Sequence, residues 1–471
     1  MVAPLRVQQL GAGIDPADAF VVLFGDAGGS SAPATGDAVW LDAGPGATHG
    51  RSILGTGRIV LTSSVADGTV TLDGRTGPGD ILSALREDLA SRPRHAPGSP
   101  LGWFGVLGYE AGAAALGIPV AATAAPDAAF LLVDRAVVFD HTTGTAALMT
   151  TDDPEALAWG EDASRRLHTL RATPGTAAAY ERAHPVPPAS ATWRHTDAAY
   201  LDLLAACQSA IRAGDAYQLC LTNTATAATA ADPLAVHLRL RRTSPAPHAG
   251  LLRIQGRTLV SSSPEQFLLV TPEGRVRTRP IKGTRPRGAT VAADLAQRAE
   301  LEASEKEQAE NVMIVDLMRN DLGRVCEVGS VAVTRLLAVE SYAQVHQLVS
   351  TVEGRLQPGL GAVDAVAACF PAGSMTGAPK LSAMRILHDL EAGPRGAYAG
   401  CFGRFGLDGG AELAMVIRSV VLDGRTATIG AGGGITALSV PAEEVAEVRV
   451  KARALLAAIG AGNATEASRV D

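Results

Sequence analysis

Cysteine is scarce in this chain, and its spacing supports no covalent or metal-bound framework. Cys207, Cys220, Cys326, Cys369 and Cys401 are odd in number and far apart, with no Cys-x-x-Cys pair and no Cys/His cluster. A disulfide scaffold and a zinc site are thereby excluded, and the thiols read as small buried hydrophobes. A basic tail is also missing, and 48 acidic against 41 basic residues leave a formal charge of −7. That balance argues against nucleic acid and membrane surfaces as partners. No apolar run reaches the roughly 18 residues that a spanning helix needs. The first residues lack a basic-then-apolar signal pattern, so a cytoplasmic location is expected.

What is present is apolar and long. With 471 residues, 47% of them hydrophobic, the chain suffices for two or three average domains or for one large α/β body with insertions. Residues 1–170 alternate short apolar runs with Gly/Pro/Ala-rich turns. Positions 20–24, 52–61 and 130–139 read as strands and 80–89 as a helix. Residues 171–196, rich in Ala and Pro, read as a linker or surface crossing. From 197 to about 460 the pattern is denser, and 461–471 read as a flexible tail.

In that second region Arg275, Arg277, Arg279, Lys282, Arg285 and Arg287 fall within thirteen residues. The first three share one face of a strand, Pro280 ends the ladder, and Gly283 allows close backbone approach to a ligand. Such a density of cations makes an anion site and predicts a lysine of lowered pKa, a usable nucleophile at neutral pH. A solvated basic strand edge is the alternative.

Other segments add to this. A helix covers 197–212, a strand 216–222, and two strands joined at Gly256 cover 251–270, with Ser263-Pro-Glu265 inside the second. Ser304-Glu-Lys-Glu307 has the form of a capping box opening a helix to about Asn320. Glu307 and Glu310 share a face of it, as a Mg²⁺ site would require or as an ordinary acidic first turn would give. Residues 373–380 place Ser, Thr and Gly before a helix, forming either an anion-binding turn or a simple cap. Strands 397–407 and 412–422 read as a hairpin through Asp408-Gly-Gly410, with Arg418 in an apolar strand. An unpaired guanidinium there would be costly, so it should meet a carboxylate of the protein or of a ligand. After the glycine run 430–434, a helix from about Pro441 carries Glu444, Glu447 and Lys451 on one stripe.

Combined, these segments resemble the chorismate-binding enzymes over residues 197–460. The resemblance rests on Ser263-Pro-Glu265, Pro280-Ile-Lys-Gly-Thr284, residues 309–324, residues 373–380, Arg418, the glycines 430–434 and Glu444/Glu447/Lys451; Trp103-Phe-Gly-Val-Leu-Gly-Tyr-Glu110 and 130–141 extend it to the N-terminal region. It implies an α/β (α+β) body of two stacked antiparallel sheets flanked by helices, with residues 1–170 part of the same body and the site between the sheets. It also implies chorismate as substrate and Mg²⁺ as cofactor, held by Glu310 and Glu447 with help from Glu307 and Glu444. Tyr398, Arg418 and the Gly432 amide would grip one carboxylate of the substrate. Gln218, Gly283 and Thr284 would line it, Lys451 would balance the acids, and Glu265 would protonate the departing C4 hydroxyl.

Two positions choose the branch. The family's anthranilate synthases carry alanine at the position of Lys282, and its isochorismate and salicylate synthases carry lysine at that of Gln218. The pairing found here is similar to the aminodeoxychorismate synthase branch (component I). There the lysine attacks C2 and ammonia, from a glutamine amidotransferase partner, adds at C4, leading to p-aminobenzoate and folate. An anthranilate- or salicylate-type lyase is the alternative. A histidine common in the family is replaced by Gln347, with His346 one place earlier on the opposite face, so His346 is assigned no catalytic role. The motifs of tryptophan-regulated members are missing, which makes tryptophan binding doubtful.

Overall fold

The computed structural model describes residues 4–25, 36–121, 123, 125–170, 174–342 and 344–462. Residues 463–471, most of the expected tail, lie outside the described residues. Two sheets of 12 strands each stack face to face with antiparallel pairing. Val39, Ile53 and Leu252 of one sheet meet Phe104, Leu131, Phe402 and Ala414 of the other in a shared core. Each such side chain contributes about 1.5–3 kcal/mol on burial. Helices cover the outer faces. Asp197–Ala213 and Pro441–Ala458 lie on the strand Thr426–Ile435, and Glu305–Gly323 lies on Val345–Arg355 and Ile281–Pro286.

The first sheet runs through Ala38–Asp42, His248–Ile254, Arg257–Ser263, Ser419–Asp423, Thr426–Ile435 and Gln218–Ala228 as neighbours. The second runs through Val345–Arg355, Arg275–Thr278, Gln266–Val270, Ala411–Met415, Cys401–Gly406, Gly102–Leu107 and Ala128–Val133. Residues 1–170 thus contribute strands to both sheets.

Several expected strands divide in two because the chain changes sheet inside them. Residues 52–61 form Arg51–Thr56 in the first sheet and Val60–Ser64 in the second, and 130–139 divides into Ala128–Val133 and Arg135–Asp140. The run 251–270 breaks at Pro264 and Glu265, giving three strands instead of two. The run 412–422 breaks likewise, so Arg418 lies in a connection, at φ 51°, and not inside a strand. These last two crossings are neighbours: Met415 N–H donates to Glu265 O and Ser262 N–H to Arg418 O, each at 3.0 Å.

Residues 20–24, expected as a strand, belong to the helix Pro16–Phe24. Asp15 caps it by accepting from the amides of Ala17 and Asp18, and Pro16 fits its first turn. The hairpin strand expected from 397 starts at Cys401, with 396–399 in a turn. Ser304 makes no side-chain cap bond, so the capping box is not formed; Glu307 faces Arg285 at 3.5 Å instead. Within 171–196 the described residues form the helix Thr176–Ala183 and the strand Ala191–Trp193, which pairs with Ala225–Ala227. No helix among the described residues is long and apolar enough to cross a membrane.

Candidate active site

Lys282 stands on the strand Ile281–Pro286, with its side chain largely buried and its Nζ 3.7 Å from Glu310 Oε2. The six-cation cluster expected around it does not form. Arg279 pairs with Glu340, Arg285 with Glu300 and Glu307, and Arg287 with Asp294, so these three arginines each meet an acid, while Arg277 donates to Gln266. Lys282 instead faces carboxylates. Burial pushes its ammonium down, but Glu310, then Cys220, Glu265 and Glu447, outweigh this, and its pKa is raised, not lowered. Alternation along a strand could not reveal this, because the acids come from other elements: Glu310 and Glu447 from helices and Glu265 from a sheet crossing.

Glu310 also accepts from Gln218 Nε2 at 3.3 Å. Burial holds its carboxyl above the ordinary range; Lys282 opposes the shift, and Glu307 and Glu444 add to it. The other acids are each met by a cation. Lys306 Nζ lies 3.4 Å from Glu444, Lys451 Nζ lies 2.6 Å from Glu447, and Arg285 faces Glu307. Lys451 also donates to Gly432 O at 2.7 Å. Burial raises Glu447, yet Lys451 overcomes it and the carboxyl is held low.

The glycine strand explains how helix-borne acids reach the sheet. Gly432, Gly433 and Gly434 face Thr222, Leu221 and Cys220 across the ladder. A Cβ on Gly433 would come within 2.8 Å of Glu444 Oε2; one on Gly434 would come within 2.2 Å of Gln218 Nε2 and 3.2 Å of Glu310 Oε2. The Glu310 and Glu444 carboxylates therefore abut adjacent glycines, with no side chain at either. Oxygen donors of this kind suit a hard divalent cation. Among the described residues, however, no group of three or more acids, His or Cys converges on one point. The four glutamates are held in pairs with Lys282, Lys306, Lys451 and Arg285.

Glu265 lies at the sheet crossing and is buried, with its carboxyl pushed up to about 7. Burial is the main cause; hydrogen bonds from Ser374 and the Ile281 amide and the charges of Lys282 and Lys451 oppose it. Ser374 was not singled out in the sequence, although it belongs to the 373–380 motif. Lys306 was missed altogether, since one lysine in an acidic first turn carries no signal of its partner.

On the other side, Tyr398 packs on Gly430, where a Cβ would lie 2.1 Å from its ring. Burial lowers the Arg418 pKa, and Tyr398 and Glu447 are the groups that favour its charge. No carboxylate of a described residue lies within ion-pair distance of Arg418, so no described residue supplies the protein partner expected for it. A cavity of about 280 Å³ adjoins the site behind Tyr398 and Gly430, and neither Lys282 nor Glu265 lines it. Gly283, at φ 84°, packs against Leu301 and Glu307; a Cβ there would come within 2.8 Å of Leu301 Cδ1 and 3.1 Å of Glu307. Thr284 is exposed, and no hydrogen bond among the described residues ties its side chain to the site. His346 is buried and bonded to Asp294 and Ser341, at 3.0 and 2.8 Å, away from these acids. Gln347 faces Thr284 across the strand pair.

Comparison with known proteins bears on the family and the fold. The chain is 44% identical over 415 residues to the aminodeoxychorismate synthase of Streptomyces pristinaespiralis, covering 85% of this chain and 57% of the relative. It is 42% identical over 398 residues to anthranilate synthase component 1 of Streptomyces coelicolor, covering 81% and 78%. The chain thus spans about three fifths of the length of the two Streptomyces aminodeoxychorismate synthases and 40% of that of the Arabidopsis thaliana one. Anthranilate synthase component I from Streptococcus pneumoniae superposes with a TM-score of 0.75 at 29% identity, covering 87% of this chain and 92% of that one. Residues 38–457 match the family chorismate binding enzyme, and this chain belongs to that family.

Proposed function

We propose that the chain aminates chorismate at C4, giving 4-amino-4-deoxychorismate through a covalent adduct on Lys282, an aminotransferase-type reaction. The observation that carries the reading is a buried lysine 3.7 Å from Glu310, beside a glutamic acid with a carboxyl pushed up to about 7 and a neutral Gln218. In this reading Lys282 Nζ, once deprotonated, bonds to C2 as the C4–O bond breaks. Glu265, half-protonated near neutrality, gives its proton to the departing hydroxyl, which leaves as water. Ammonia then bonds to C4, and the C2–N bond to Lys282 breaks. With C2 occupied by the lysine, nitrogen is directed to C4.

Arg418, which no acid of a described residue pairs, would take one substrate carboxylate together with Tyr398. Glu310 and Glu447, with Glu307 and Glu444, are the residues that would hold Mg²⁺. Bound there, the ion would neutralise the ring carboxylate of the substrate and draw the charge of Glu310 from Lys282. Ammonia is expected from a glutamine amidotransferase, because all five cysteines are buried, and burial raises thiols such as Cys207 and Cys401 away from nucleophilic range. Free thiols also suit a reducing compartment, the cytoplasm.

A lyase of the anthranilate type is the second reading, favoured by the match to the Streptomyces coelicolor protein over most of its length. Incubation with chorismate, excess ammonium and Mg²⁺ separates the two. 4-Amino-4-deoxychorismate without pyruvate is the expected product; stoichiometric pyruvate would overturn the assignment.

A further inference from the structure

The strand Gln218–Ala228 is edged by two short strands that leave a gap between them. Gly377–Ala378 pairs with Gln218 and Leu219, and Ala191–Trp193 pairs with Ala225–Ala227. Across the gap the backbone is satisfied by side chains. Arg395 Nη2 donates to Cys220 O at 2.8 Å, and Thr222 N–H donates to Glu391 Oε1 at 3.0 Å. Arg395 and Glu391 are joined by two bonds of 2.8 and 2.6 Å, and their side chains are 1% and 4% exposed.

The same arginine reaches further. Its Nη1 donates to Met375 O at 2.6 Å, its backbone amide donates to Glu110 Oε1 at 2.7 Å, and its guanidinium lies 4.4 Å from the Tyr109 ring centroid. Met375 follows Ser374, the residue whose side chain favours the charged form of the Glu265 carboxyl. Cys220 and Thr222 face Gly434 and Gly432 across the ladder. One ion pair therefore contacts the backbone of both the glycine-facing strand and the turn behind Glu265. The Tyr109-Glu110 end of the N-terminal motif holds it in place.

Stability alone is a poor account of this pair, since apolar groups of similar volume often replace buried ion pairs at no cost. Apolar groups could not donate to two carbonyls, as Arg395 does, or accept from a backbone amide, as Glu391 does. We propose that Glu391 and Arg395 are positioning residues of the active site, standing in for a missing length of strand beside Cys220–Thr222 and fixing the turn that sets Ser374 against Glu265. The catalytic half of this statement rests on the proposed role of Glu265 in chorismate turnover.

The test uses the full chain with Glu391→Gln and Arg395→Met, and Arg241→Met as control. Arg241 pairs with buried Asp42 at 2.8 Å, elsewhere in the same sheet. Steady-state turnover of chorismate with saturating ammonium and Mg²⁺, thermal midpoint and amide hydrogen exchange are measured. For Glu391→Gln, kcat is expected to fall about 10–100-fold with KM changed less than about threefold, as for a misplaced catalytic group. Exchange should quicken in peptides covering 218–224 and 373–378. Arg241→Met should lower the midpoint while leaving kcat unchanged. The proposal is overturned if Glu391→Gln lowers the midpoint as the control does but keeps kcat, or if exchange in both peptides is unchanged. Should Arg395→Met fail to fold, Glu391→Gln decides, because it keeps the shape of the side chain and removes the charge that holds Arg395 in place. An inactive wild type would strike the proposed activity instead, and exchange would then decide the positioning claim.

Discussion

A lysine that attacks carbon needs its lone pair, yet Lys282 sits among carboxylates that favour its ammonium form. A cation or a substrate that draws Glu310 away would release it, which makes the residue dependent on what else fills the site. Lys282→Ala should abolish any chorismate-derived adduct in trapping followed by intact-mass measurement and shift residual amination toward C2; unchanged C4 amination at full rate would contradict the mechanism. Glu265 makes the complementary prediction. Glu265→Gln keeps the shape but cannot lend a proton, and kcat should fall by about 10²–10⁴. The wild-type rate should decline on the alkaline side through about pH 7, the value of the buried carboxyl. The folded pKa lies above the ordinary 4.5, so the stability gained by protonation is whole below about 4.5 and is lost as pH rises through about 7. Thermal midpoints of the Gln variant should lack that dependence.

At the scale of elements, the site is a meeting of helix-borne acids with a strand that has no side chains to obstruct them. Gly434→Ala would drive a methyl into Gln218 and Glu310. A misfit of this kind should cost about 1–3 kcal/mol and about 10²-fold in kcat/KM; a variant with native midpoint and activity would show that the close approach does not matter. Much of this was legible in the sequence. Glu310, Glu444, Glu447 and Lys451 were picked out by helical spacing or resemblance, and the glycines 430–434 by resemblance. Which acid meets which cation was not legible. Arg279, Arg285 and Arg287 are adjacent in the chain to Lys282, but their partners come from other elements, so a local density of charge did not become a spatial one.

For the whole molecule, repeated crossing between sheets is what brings Glu265 and Arg418 together. It also binds residues 1–170 to the rest: Gly102–Leu107 pairs with Cys401–Gly406, and Ala38–Asp42 pairs with His248–Ile254. A fragment of residues 197–460 expressed alone should therefore be aggregated or molten in circular dichroism and sedimentation, since Leu252 and Phe402 would lose the Val39 and Phe104 side of their core. A soluble, cooperatively folding fragment would contradict this.

The residue types and the helices that carry the acids were readable from the sequence alone, through period and glycine placement, which are local in the chain. The two stacked antiparallel sheets and the family came from the resemblance that the ordered motifs carry. Only the tertiary structure decided where strands divide between sheets, which charges neutralise which, and that an ion pair fills the edge beside Cys220. Those outcomes depend on contacts between residues far apart in sequence, and the side-chain alternation of a strand is the same whichever sheet it joins.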